Sequence, residues 1–125
     1  MTVSDYSKSI VATACWLAAP KEPHHVMLCI AMVFRNQAQA GWFDGDIYEC
    51  AAHWLEEQRY QRIDTRNPEF QKLLGNLDAV VSNLAADKTD GALWFGPKTE
   101  DPVAGITMTA GQIRFVRGYG ADPNL

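Results

Sequence analysis

A carboxyl group acts as a general acid near neutral pH only if it keeps its proton, which requires burial or a neighbouring negative charge. Glu22, within Pro20-Lys21-Glu22-Pro23, is the acid nearest the end of the first apolar segment and is the candidate for such work. It also sits just ahead of a helix start, where negative charge is favourable, so helix initiation is the competing reading of the same residue. Glu49, Glu56 and Glu57 fall on the polar side of a helical stripe, and Glu69 falls in a helix first turn, so these read as solvated charges.

Other chemistries find less to work with. The three cysteines, Cys15, Cys29 and Cys50, lie in apolar helical patterns and read as buried thiols of a reducing compartment. His24, His25 and His53 are not spaced with them as zinc ligands would be, so no metal is expected. The serines Ser4, Ser7, Ser9 and Ser82 lack a GxSxG setting, and no GxxxxGK loop is present to cradle a phosphate, so no nucleotide cofactor is expected either. Trp42, Phe43, Tyr60, Trp94 and Phe95 lie near loops or element ends, where an aromatic face either stacks on a sugar ring or closes the edge of a core. Trp94 is the best single candidate to meet a ligand.

The elements that must position these groups are mainly helical. Ser4 can cap a first helix to about Ala19, stopped by Pro20. Pro23 suits the first position of a second helix, whose run Val26 to Phe34 is apolar on every side and therefore central. A third helix starts at Asp46, with Ile47, Cys50, Ala51, Trp54 and Leu55 on one face. Asn67-Pro68 caps and opens a fourth, predicted to run to about Ala86 with Phe70, Leu73, Leu74, Leu77, Val80, Val81 and Leu84 along one face. Asp87 to Gly91 is a turn. Ala92 to Phe95 and Ile106 to Thr109 favour short extended pieces, and the tail from Gly111 is read as a loop or short helical turn. The expected class is mainly α (α+β), with residues 1–125 forming one domain: a helical body and a small extended or irregular lobe, with a cleft between them.

Several segments, in order, resemble the SleB-type cell wall hydrolases. Asp87-Lys88-Thr89-Asp90-Gly91-Ala92-Leu93-Trp94-Phe95 is similar to the family's DPT-GAL-F signature. Glu22-Pro23 resembles its GEP turn, and Ile30 to Asn36 its apolar helix ending in AVVLNR. Asp46 to Cys50 is similar to the V-Y segment, Glu57-Gln58-Arg59-Tyr60 to GQF, and Thr109 to Phe115 to the closing IGNHRF. The resemblance spans roughly residues 8 to 118. It implies a lysozyme-like fold acting on the glycan strands of peptidoglycan, with Gln58, Tyr60, Trp94, Phe95 and Arg114 on the substrate side. In that family a glutamate within EARGE protonates the glycosidic oxygen, and a lytic transglycosylase can work with that single acid where ordinary glycosidases need two carboxylates.

The chain departs from the pattern at that acid. Cys15 to Pro23 places Trp16 or Leu17 where the glutamate belongs, and Ile113 replaces the closing histidine. Glu22 matches the family's second glutamate and is the nearby acid that could substitute. Arg114 either places its guanidinium in the cleft or pairs with Asp87 or Asp90 to hold the lobe, the structural role being favoured.

Composition bounds the partners. Hydrophobic residues are 47% and charged residues 21%, as in folded domains, and 11 Lys+Arg against 15 Asp+Glu give a net charge of -4. No basic cluster suits nucleic acid. No apolar run approaches the ~20 residues of a membrane span, and no secretion signal is recognised, so a cytoplasmic location is expected, with the wall reached by another protein's help or in a virion. Two functions follow: a peptidoglycan-degrading enzyme, such as a phage lysin passed to the wall by another protein, or a degenerate lysozyme-like protein that binds glycan or serves among phage virion proteins.

Overall fold

The computed structural model describes residues 5–58, 64–82, 84–97 and 105–117. Helix α1 (Asp5–Ala18) ends where Ala19 N–H closes the last turn on the Cys15 carbonyl and Pro20 supplies no donor to continue it. Lys21 then takes a left-handed conformation, with φ 66°, and reverses the chain into α2 (His24–Gln39). Pro23 is not the first residue of α2, as the sequence predicts, but its N-cap. Its ψ of 155° is extended, while its carbonyl accepts the N–H of Val26 at 3.0 Å.

Helix α2 is the axis of the fold. Nine consecutive residues, Val26 to Phe34, are apolar, and all but Leu28 are fully buried because the helix packs against α1, α3, α4 and the first strand. After α2, Gly41 opens a short 3-10 turn, Trp42–Gly45. Asp46 then caps α3 (Ile47–Glu57), its carboxylate accepting Tyr48 N–H at 2.9 Å. Cys50, Ala51 and Leu55 are buried, as their spacing requires.

Asn67 caps α4 (Pro68–Val81) through Glu69 N–H at 2.9 Å, with Pro68 in the first turn. The helix stops at Val81, several residues short of the predicted end at Ala86. Ser82 turns its hydroxyl back to the Asp78 carbonyl, and Leu84 and Ala85 N–H both reach the Ala79 carbonyl, so the backbone curls out of the helix. Leu84 is consequently 82% exposed and belongs to no helix face.

The C-terminal lobe is a three-stranded antiparallel sheet of β1 (Trp94–Pro97), β2 (Ile106–Ala110) and β3 (Ile113–Val116), in the order β1-β3-β2. The segment read as a loop beyond Gly111 is thus the central strand. Gly111, with φ 57°, and Gln112 form a two-residue turn that pairs Ala110 with Ile113, and every residue of β3 is buried. The fold is therefore α+β, with four α-helices and one small sheet among the described residues.

Candidate functional site

The end of α1, the turn Pro20–Pro23, and the first turns of α2 and α4 enclose a groove of about 680 Å3. Trp16, Glu22, His24, Met27, Glu69 and Lys72 are among its walls. Trp16 is half-buried and packs edge-on against Phe70 of α4, with centroids 5.7 Å apart at 77°. Of Trp16 and Leu17, the two residues that the resemblance sets at the place of the missing acid, Trp16 lines the groove.

Glu22 is committed to the lobe. Its Oε1 accepts the N–H of Gln112 at 2.9 Å, and a side chain added at Gly111 would overlap the carboxyl group. A residue other than glycine here would force the Glu22 carboxyl to move and would strain a backbone with φ of 57°. Across the groove His24 Nε2 stands 3.4 Å from Glu69 Oε2, whose side chain is largely solvent-facing. The groove therefore combines an indole, two carboxylates, an imidazole and an ammonium, groups that can exchange hydrogen bonds with hydroxyl-rich ligands while the ring covers an apolar face. Its volume lies in the usual range for small-ligand sites.

Trp94 and Phe95 do not line this groove. Trp94 meets Trp42 at 5.6 Å, and Phe95 is wedged between Phe34 and Trp54, each at 5.6 Å, so both rings join the helical body to β1. Gln58 is exposed at the end of α3, its backbone N–H closing on the Leu55 carbonyl, and it is not a groove residue. Tyr60 lies outside the described residues. Arg114 is 8% exposed on the central strand, opposite Gly96 and Thr109. Asp90 is held by Arg117, through the Asp90 carboxylate at 3.2 Å and its carbonyl at 2.8 Å.

Asp87 organises the turn into the lobe. One oxygen accepts both the N–H and the hydroxyl of Thr89, at 2.8 and 2.7 Å, while the other accepts Gly91 N–H at 2.8 Å and the Asn36 amide at 3.1 Å. Partial burial pushes the Asp87 carboxyl upward, but these donors outweigh it and hold the group below the usual aspartate range. Asn36 also donates to the Ala92 carbonyl, and Gln37 to that of Leu93, so the end of α2 grips the strand entry.

The sequence does not single out His24, Glu69 or Lys72 as site residues. His24 and Glu69 lie in helix first turns and Lys72 one turn further along α4, and only packing of α4 beside α2 brings them together. All three cysteines are buried as expected. Among the described residues no helix is long and apolar enough to cross a membrane, and no three-residue cluster could hold a metal ion. No protein-family model, curated protein or solved structure matches the chain.

Proposed function

We propose that this is a peptidoglycan-directed domain of the cell wall hydrolase type, with a lysozyme-like arrangement, that engages glycan strands in the groove at the N-terminus of α2. The observation that carries the reading is Trp16 standing beside Glu22, His24 and Glu69 in one groove. A pyranose ring offers an apolar C–H face to the indole and hydroxyls to the surrounding polar groups. The resembling segments also meet: Asn36 bonds Asp87, the strand after Gly91 pairs with the closing segment, and Glu22 binds Gln112.

Binding without cleavage is the first reading, because Glu22 accepts a bond from the hairpin turn and neither Trp16 nor Leu17, the two residues that the resemblance sets at the acid's place, can donate a proton. Cleavage is the second reading, and its specific support is that two carboxylates, Glu22 and Glu69, border the same groove. A phage lysin and a virion component are the corresponding settings.

Sedimentation of the protein with purified peptidoglycan, followed by mass spectrometry of the supernatant, tests both. Co-sedimentation that falls about tenfold in Trp16→Ala, with no muropeptide released, is the expected result. Anhydro-sugar or reducing-end products that vanish in Glu22→Gln or Glu69→Gln would establish the enzyme. Failure to bind or cut the wall would overturn the proposal.

A further inference from the structure

Lys21, in the turn between α1 and α2, holds a left-handed backbone with φ 66° and lines the groove. A glycine adopts that conformation freely, whereas any side chain there carries strain, and strained positions gather at ligand sites. The Lys21 side chain is exposed and has no hydrogen-bond or ion-pair partner among the described residues, so no contact with them accounts for a lysine in this place. Lys72, on α4, lines the same groove and is likewise exposed and without a partner among the described residues.

The carboxylates of the groove are engaged. Glu22 Oε1 accepts the Gln112 N–H at 2.9 Å, and Glu69 Oε2 faces His24 Nε2 at 3.4 Å. The charge left without a partner is therefore positive, and it rests on two ammonium groups whose flexible four-carbon stems can swing to meet an anion at the groove mouth. A solvated ammonium gains little from a neutral hydroxyl, but with a carboxylate it forms a charge-assisted hydrogen bond. In intact peptidoglycan the lactyl groups of the sugars are tied up in amide bonds, and the carboxylates lie on the peptide stems. We infer, resting on the glycan reading of this groove, that Lys21 and Lys72 make it selective for glycan that carries acidic peptide stems: Trp16 covers the sugar, and the two ammonium groups hold stem carboxylates beside it.

Sedimentation with purified peptidoglycan, stripped of other wall polymers, is measured beside the same material with its carboxylates amidated by carbodiimide and ammonia. Amidation is expected to weaken binding of the parent protein about fivefold. The double variant Lys21→Gly/Lys72→Gln is expected to bind untreated wall about fivefold less well and to lose the response to amidation. Glycine suits the backbone at position 21 and Lys72 is at the surface, so the variant keeps the fold, which its melting curve checks; the amidation comparison itself needs no variant. Equal binding of the parent to amidated and untreated wall would overturn the stem-carboxylate selectivity and leave the glycan reading in place. A response to amidation that persists undiminished in the double variant would overturn the role of the two lysines. No binding to either material would overturn the glycan reading and the selectivity together.

Discussion

Asp87 and Asn36 are 51 positions apart in the chain, yet the Asn36 amide donates to the Asp87 carboxylate at 3.1 Å and fixes the lobe to the end of α2. The bond joins a turn built from local residues to a helix formed much earlier in the sequence.

Replacing Asp87 by Ala removes acceptors for Thr89, Gly91 and Asn36, and the expected loss is about 2 kcal/mol of stability in urea unfolding. The parent's acid sensitivity should change with it. The folded-state carboxyl sits below its unfolded value, so its contribution is complete above roughly pH 4 and disappears as pH falls through the lowered folded value. Unfolding free energies measured from pH 6 to pH 2 should fall less steeply below pH 4 in Asp87→Ala; parallel curves would show that Asp87 has no such role.

Gly111→Ala should cost about 2–3 kcal/mol, combining a left-handed backbone with overlap on the Glu22 carboxyl. In a Glu22→Ala background only the backbone part, about 1 kcal/mol, should remain. A double-mutant cycle reads the difference directly, and strict additivity would mean that the two residues do not meet in solution.

Leu77 and Leu84 occupy equivalent places in the apolar pattern but not in the fold. Leu77 is fully buried, so Leu77→Ala should cost about 2–5 kcal/mol, whereas Leu84→Ala should stay within about 0.5 kcal/mol. Equal costs would mean that α4 continues beyond Val81.

Burial suppresses all three thiols. It pushes the Cys15 thiol far up, raises Cys29 with help from the Asp87 charge, and lifts Cys50 to about 11 with Asp46 and Glu49 adding to the effect. At pH 8 the thiolate fraction of Cys50 is about one in a thousand. Iodoacetamide labelling followed by intact mass should run at least tenfold slower in the native protein than in urea, and equal rates would place a thiol at the surface.

The helices were legible because their signals are local: Asp46 and Asn67 cap within two residues, and the apolar run of α2 can belong only to a central element. The end of α4 was not, because Val80, Val81 and Leu84 continue the apolar spacing while Ser82 and the backbone at Ala79 turn the chain away. Strand β3 escaped notice because four residues beside a Gly-Gln turn carry little pattern, and Arg114 breaks what alternation there is. Asp87 was readable as turn chemistry, but its partner Asn36 was not. The groove was illegible for the same reason, since Trp16, Glu22 and Glu69 come from three separate elements.

Glu22 and Gln112 are separated by 90 positions, and their bond fixes the carboxyl in the groove wall. During vectorial synthesis the helices α1 to α4 emerge first and can bury one another's apolar faces while the groove still lacks its lobe-side support. Glu22 acquires its bound position only after the hairpin turn has left the ribosome, so the groove gains its lobe-side wall later than the helical body on which it is built.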